Sequence, residues 1–490
     1  MRLIKPSSSV RVVSTIAMLC VATLEARDLN IPDPSKLALL NNVAPGDVVV
    51  LKNGTWKDAR LFVKKGGSDK KPLVIRAETP GGVVFSGNSS IEFDAPYVTV
   101  DGILFQNGSF VEKGNKSKSV VTFLSHHGSL VNSAIVDFNP SSPQDQYYWV
   151  FFTGSNNTVS KCYFKGKTNM SPLIGNDNLD SAKNNSVLGC YFKDIPLSDV
   201  NGREIIRVWG YGKSGDIGPG GAFFTIEGNL FEHADGEGGE IISLKSNRNK
   251  VLRNTIVATE GWLNIRQGHY NLVEGNVILG NGVKKAYGLR MSGQYNEVKN
   301  NLLDGCSEGI SISCGDYIDK DLTGSQEKHS AKRKDADGNR ISDDKLGAAA
   351  FSAQYPQNKF LKLTGNMVIA CTGTDLDVGA RYKAHWPKEQ MVLIPEECRI
   401  ENNIFVRLKG GDSVVGTTPS VEPPLNQFKF SPNIFSGNKL FGGVNKFAPA
   451  ATGCESLPVP EGWSREKAIA TFKPLTAEQV GPAWIRGKNL

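Results

Sequence analysis

The chain has 490 residues, 39% hydrophobic and 21% charged, which excludes a disordered protein and allows two or three ordinary domains or one long repetitive fold. Its 52 glycines, and the scarcity of long amphipathic helical patterns, favour an all-β, turn-rich chain over a helical one. The net charge of +7 permits an acidic partner without demanding one.

Arg2, Lys5 and Arg11 flank or precede an apolar run over residues 12–24, and Glu25-Ala26 then leads into Arg27-Asp28. This is the plan of a signal peptide over 1–26, so the remaining chain, 27–490, is expected to be secreted or periplasmic. The run is short for a bilayer span, and no other stretch qualifies. Cleavage leaves Cys162, Cys190, Cys306, Cys314, Cys371, Cys398 and Cys454, without CxxC or zinc-ligand spacing. They read either as a disulfide or two or as small apolar core residues.

Next, Ser35-Lys-Leu-Ala-Leu-Leu-Asn-Asn42 reads as a helical turn or two with Ser35 as N-cap, placed to cover the open end of a β structure. Ala44-Pro-Gly-Asp-Val-Val-Val-Leu51 opens the β region.

A short motif then recurs: an aliphatic residue, two positions, Asn or Cys, one position, an apolar residue. It appears as Val159-Ser-Lys-Cys-Tyr-Phe164, Val187-Leu-Gly-Cys-Tyr-Phe192, Ile226-Glu-Gly-Asn-Leu-Phe231 and Val251-Leu-Arg-Asn-Thr-Ile256. Further copies carry Asn276, Asn301, Asn366 and Asn403, so successive gaps are 28, 39, 25, 22, 25, 65 and 37 residues. A base period of 22 to 28 with occasional excursions predicts a parallel β-helix, with stacked turn asparagines and stacked aliphatics inside. A leucine-rich repeat shares the period but requires a denser leucine pattern. The longest gap holds a polar insertion over 316–357, a surface loop or a lid over a charged groove. Residues from about 449 to 490, with Trp463 and Trp484, are expected to pack over the last coils of the same single domain.

The stretch from Asp235 to Lys245 carries the functional signal. Ile242 and Leu244 alternate with Ser243 and Lys245, which turns Lys245 outward. Leu263-Asn-Ile-Arg266 and Tyr287-Gly-Leu-Arg290 repeat the plan. Lys245 precedes Asn254 by nine residues, Arg266 precedes Asn276 by ten and Arg290 precedes Asn301 by eleven. These offsets predict one lateral position on consecutive rungs about 4.8 Å apart, with Arg207 extending the stripe. Like charges stacked across strands are destabilising, so the stripe points to a linear polyanion. Proton removal beside a uronate carboxylate needs a base, an acid and neutralisation of the carboxylate by a metal or by arginine with a neutral donor. Lys245 suits the base and Arg266 the group at the leaving oxygen. A β-helical polysaccharide-binding or adhesion protein would use the same stripe without chemistry.

The chain resembles polysaccharide lyase family 6, which includes alginate lyases and the dermatan-sulfate-cleaving chondroitinase B. The resemblance runs from Ala44 through Arg76-Ala-Glu-Thr-Pro-Gly-Gly-Val, Val100-Asp-Gly-Ile-Leu-Phe-Gln-Asn-Gly108 and Cys162-Tyr-Phe-Lys-Gly-Lys-Thr-Asn169, and is most specific at Glu240-Ile-Ile-Ser-Leu-Lys-Ser246 and Leu263-Asn-Ile-Arg266. It implies a single-stranded, right-handed parallel β-helix that cleaves uronate chains by β-elimination. It also implies Lys245 as base, Arg266 as acid, and Asn201, Arg207, Glu240, Gln267, His269 and Arg290 as substrate-binding residues. Family members that use calcium carry Glu-x-Glu five residues before the lysine and an asparagine as ligands. Gly238 stands here in place of the first acid, so a calcium ion, if bound, would draw on Asn201, Glu237 and Glu240, and calcium independence is expected. Gln267 occupies a position where the family often has histidine, with His269 two residues on. The expected substrate is alginate, with dermatan sulfate the alternative; a monomer is expected, with neither a nucleic-acid partner nor a membrane span.

Overall fold

The computed structural model describes residues 26–110, 119–198, 201–210, 220–315, 355–380, 393–416, 432–447, 451–488 and 490. The predicted signal peptide, up to residue 25, and the insertion as far as residue 354 lie outside these residues. Among the described residues, three parallel sheets of 14, 13 and 14 strands run along the molecule, and neighbours within each sheet are three strands apart in sequence except at the two ends of the coil. Each coil therefore adds one strand to the first, third and second of these sheets in turn. This is a parallel β-helix, as the repeat period predicts. No helix among the described residues is long and apolar enough to cross a membrane.

The recurring asparagine sits in the turn between the first and third sheets. The backbone N–H of Asn229 donates to Asn254 Oδ1 at 3.0 Å, and the same bond links Asn254 to Asn276, Asn276 to Asn301, Asn301 to Asn366, Asn366 to Asn403 and Asn403 to Asn438. Below Asn229 the ladder column is held by Cys190 and Cys162, both fully buried. The seven cysteines among the described residues carry free thiols, and six of them are buried and act as small core residues. The residue before each ladder asparagine has left-handed backbone, as at Gly275 (φ 67°) and Arg253 (φ 50°), which turns the corner into the next strand. Inside the coil, aromatics stack in register, including Phe164, Phe192 and Phe231, whose ring centroids are 5.1 and 4.6 Å apart.

A second ladder, which the motif search does not reveal, lines the turn between the second and first sheets. Asn249, Asn271 and Asn296 repeat the same backbone-to-side-chain bond. His269 belongs to the same corner. Its N–H donates to Asn247 Oδ1, its Nδ1 accepts from the Gln294 N–H at 2.9 Å, and it is fully buried.

A 3-10 helix over Pro34–Asn42 covers the N-terminal end of the coil with Leu40 buried beneath it. Its cap is Asp33, whose side chain accepts from the Ser35 N–H; Ser35 is not the cap, because the helix begins one residue earlier, at Pro34. The C-terminal segment also departs from expectation. Strand Cys454–Leu457 completes the third sheet, and helix α1 (Arg465–Thr471) follows, capped by Ser464. The chain then runs back along the outer face of that sheet instead of stopping over the last coils. Trp463, Ile469 and Phe472 pack on Val277, Leu302, Ile369 and Val406, while Val480 and Trp484 reach Leu104, Ala134, Tyr163 and Tyr191. The reason is an outer face with apolar side chains from Leu104 to Val406, which a strap of spaced apolar residues buries.

Candidate active site

Four consecutive strands of the second sheet build the site: β1 (Ile206–Trp209), β2 (Glu240–Lys245), β3 (Gly261–Gln267) and β4 (Ala286–Met291). Inward residues such as Ile242, Leu244, Leu263 and Ile265 are buried in the coil. The alternate positions face outward onto a pocket of about 330 Å³ lined by Asn201, Glu237, Glu240, Lys245, Arg266, Arg290 and Tyr355, with Ser198 and Gly239.

The cations share this face but not one column. Arg207 pairs in register with Ser243, Ser243 with Asn264 and Asn264 with Arg290. Trp209 pairs with Lys245 and Lys245 with Gln267, so Lys245 lies two residues along from the Arg207–Arg290 column. A bulge between Leu244 and Lys245 in the β2–β3 ladder leaves Arg266 as the extra residue and turns it toward the pocket. The predicted single stripe is thus corrected to two columns with Arg266 between them. Direct stacking of like charges is avoided as a result.

Each cation is held by an acid or a ring. Glu240 accepts from Arg290 Nη2 at 2.7 Å and lies 3.3 Å from Arg266 Nε, and it also accepts from Asn264 and Ser243. Burial alone would raise its carboxyl, but Arg290, Lys245 and Arg266 outweigh burial and hold it below the usual range. Glu204 accepts from Lys245 Nζ at 3.2 Å and from Arg207 Nη1 at 3.3 Å. Trp209 lies under both, its ring 4.9 Å from Lys245 Nζ and 4.7 Å from Arg207 Cζ. The ring of Tyr355 covers the Arg266 guanidinium at 3.9 Å. Glu237 accepts from the Gly202 N–H at 2.6 Å; burial, and then the neighbouring charge of Glu204, push its carboxyl up to about 7.

Of the residues expected from sequence, Asn201, Glu237, Glu240, Lys245, Arg266 and Arg290 meet in the pocket. Arg207 stands beside it, bonded to Tyr148 Oη at 3.1 Å, and Gln267 neighbours Lys245 in register. His269 does not belong. Its ring is sealed in the ladder corner, so its assignment to substrate is withdrawn on the ground of burial. Sequence reasoning misses Glu204, Trp209 and Tyr355. Glu204 lies in the approach to β1, where no alternation marks it, and Tyr355 closes the polar insertion. A larger hollow of about 760 Å³ lies by Arg407 and Arg465, but both guanidiniums there are tied down, by carbonyls of Cys371, Gly373 and Asp412 and by Asp304 respectively.

Residues 36–313 match the sequence family described as Chondroitinase B. A family 6 polysaccharide lyase from Pseudopedobacter saltans superposes with a TM-score of 0.76 at 38% identity, covering 93% of this chain and 99% of that one. The chain belongs to polysaccharide lyase family 6. It is therefore an enzyme of the carbon–oxygen lyase class. The family 6 fold is shared with the alginate lyase AlyGC, at TM-score 0.73 and 22% identity over 93% of this chain and 58% of that one. It is also shared with a mannuronic-acid-specific family 6 lyase from the human gut microbiota, at TM-score 0.72 and 23% identity over 94% and 96%. No curated protein sequence matches the chain.

Proposed function

We propose that this lyase cleaves alginate by β-elimination, with Lys245 as the base and Arg266 as the acid. The observation that carries the reading is the convergence of Lys245, Arg266, Arg290 and Asn201 on one outward pocket. In this reading the uronate carboxylate is met by Arg290 and Asn201, and Lys245 takes the proton from C5. The C4–O bond breaks as the C4–C5 double bond forms, and Arg266 gives a proton to the leaving oxygen and regains one from water. The charge balance supports an unsulfated uronate. With Lys245 as the uncharged base, Arg207, Arg266 and Arg290 face Glu204, Glu237 and Glu240, so the face offers little positive charge beyond what one carboxylate per sugar needs and none set aside for added sulfates. Export belongs to the same reading, supported by the signal-peptide plan of the N-terminal residues.

Calcium would supply Lewis-acid neutralisation of the carboxylate, held by Asn201, Glu237 and Glu240. The donor set does not fit it. Carboxylate oxygens of Glu204, Glu237 and Glu240 lie within 4.8 Å of one another, but Glu240 is already saturated by two arginines, Asn264 and Ser243, and Glu204 by Lys245 and Arg207. An acid at position 238 would require left-handed backbone and a shift of Leu197. Gly238 has φ 69°, and a Cβ there would meet Leu197 Cδ1 at 2.5 Å. The neutralising charge is accordingly assigned to the guanidiniums.

Ultraviolet absorbance of the unsaturated product tests the reading: alginate is expected to give signal and dermatan sulfate none. Signal on dermatan sulfate alone overturns the substrate, and binding of alginate without product overturns the chemistry. A chelator is expected to leave the rate unchanged; inhibition reversed by calcium would show that the acids hold a metal after all.

A further inference from the structure

We infer that Glu204 is the positioning residue of the base, a buried carboxylate that aims Lys245 and stabilises the ammonium formed when Lys245 takes the substrate proton. The inference rests on Lys245 being the base in the reading above. Only 1% of the Glu204 side chain is accessible; its Oε1 accepts from Lys245 Nζ at 3.2 Å, and Arg207 Nη1 straddles the carboxylate, 3.3 Å from Oε2 and 3.5 Å from Oε1. Glu204 and Trp209 belong to the rung before Lys245, so that rung grips the lysine from two sides, by a carboxylate and by an indole face.

A carboxylate buried this deeply is tolerated only when paired. Arg207 alone would meet that need with a fork of two bonds. Sharing the carboxylate with Lys245 is the feature a purely structural role leaves unexplained. During elimination the C5–H bond breaks, an N–H bond forms on Lys245, and positive charge appears on Nζ beside the fixed anion. Attraction to a carboxylate this buried is stronger than in water, and the anion needs no reorganisation when the charge arrives. The arrangement parallels the buried aspartate that orients the histidine of a serine-protease triad and stabilises its cation. Arg207, whose Nη1 reaches both oxygens, takes up part of the carboxylate's charge, so Lys245 does not face an unshared anion.

The test compares wild type, Lys245→Ala and Glu204→Gln on alginate, with ordinary substrate and with substrate deuterated at C5. Glu204→Gln is expected to lower kcat about 10²-fold with KM within about threefold, and to enlarge the C5 isotope effect as proton abstraction becomes the slow step. A defect that only lowers the folded fraction would leave the isotope effect unchanged. A kcat within about threefold of wild type, or a loss expressed in KM, overturns the inference while leaving the lyase reading intact. An active Lys245→Ala overturns both. Should Glu204→Gln fail to fold, Glu204→Asp keeps the charge and withdraws it by one methylene. Its kcat is expected to fall about tenfold at unchanged KM, and a wild-type kcat overturns the inference.

Discussion

Lys245 and Arg266 stand on adjacent rungs and have opposite tasks in the proposed elimination, one receiving a proton and the other giving one up. Their side chains are 14% and 20% accessible, enough to meet a substrate yet little enough to be held in place by Glu204 and Glu240. Lys245→Ala is therefore expected to remove turnover by 10²-fold or more, with the circular-dichroism spectrum and melting temperature preserved. His269→Ala is expected to do the reverse, lowering stability by about 1–3 kcal/mol through the orphaned Gln294 N–H while the KM of folded enzyme stays near wild type; denaturant titration beside kinetics separates the two. Lys245 was legible because an outward cation closes an apolar alternation. His269 misled because residue type alone does not say which side of the coil a turn residue faces. Glu204 was illegible because it binds across rungs, 41 residues before its partner. Acidity is a residue-scale matter too. Glu237 and Asp375 are held up to about 7, each chiefly by burial. The unfolded chain releases those protons near the ordinary carboxylate value, whereas the fold keeps them until about 7. Stability is thus expected to fall as pH rises through that interval, and Glu237→Gln to flatten part of the decline in melts taken across it.

At the scale of elements, the asparagine column defines the coil and the bulge defines the site. The column was legible from period alone, because each turn must satisfy a buried backbone N–H at the same place and asparagine does so with one side chain. Asn276→Ala leaves the Asn254 N–H without its acceptor and is expected to cost about 1–3 kcal/mol in chemical denaturation, with specific activity of the folded enzyme unchanged. The bulge was present in the sequence as a drift that the offsets concealed. The residue nine positions before Asn276 is Gln267, and Gln267 is what pairs with Lys245. Counting back to the nearest cation rather than to a fixed offset merged two columns into one.

Across the whole molecule, two of the three outer faces have opposite fates. The second sheet presents the site, and the third is covered by residues 458–488. Deleting residues 458–490 would uncover Val277, Leu302, Ile369, Val406 and Leu104, and is expected to give a lower melting temperature and association detectable by light scattering. The covering segment was legible as a packing element from its tryptophans, but its direction was not, since outer-face positions in the third sheet look like ordinary strand alternation.

That strap has a consequence for how the protein comes into being. In a solenoid each coil needs only its neighbour, so the rungs can form as the chain emerges. Here residues late in the sequence reach back to earlier ones: Trp484 donates to the Asn132 carbonyl at 2.8 Å, and Arg465 clasps Asp304. Assembly along the coil is thereby converted into a closed circuit that waits for residues 458–488, and a chain ending before them would hold the face that carries the candidate site while lacking its fastening.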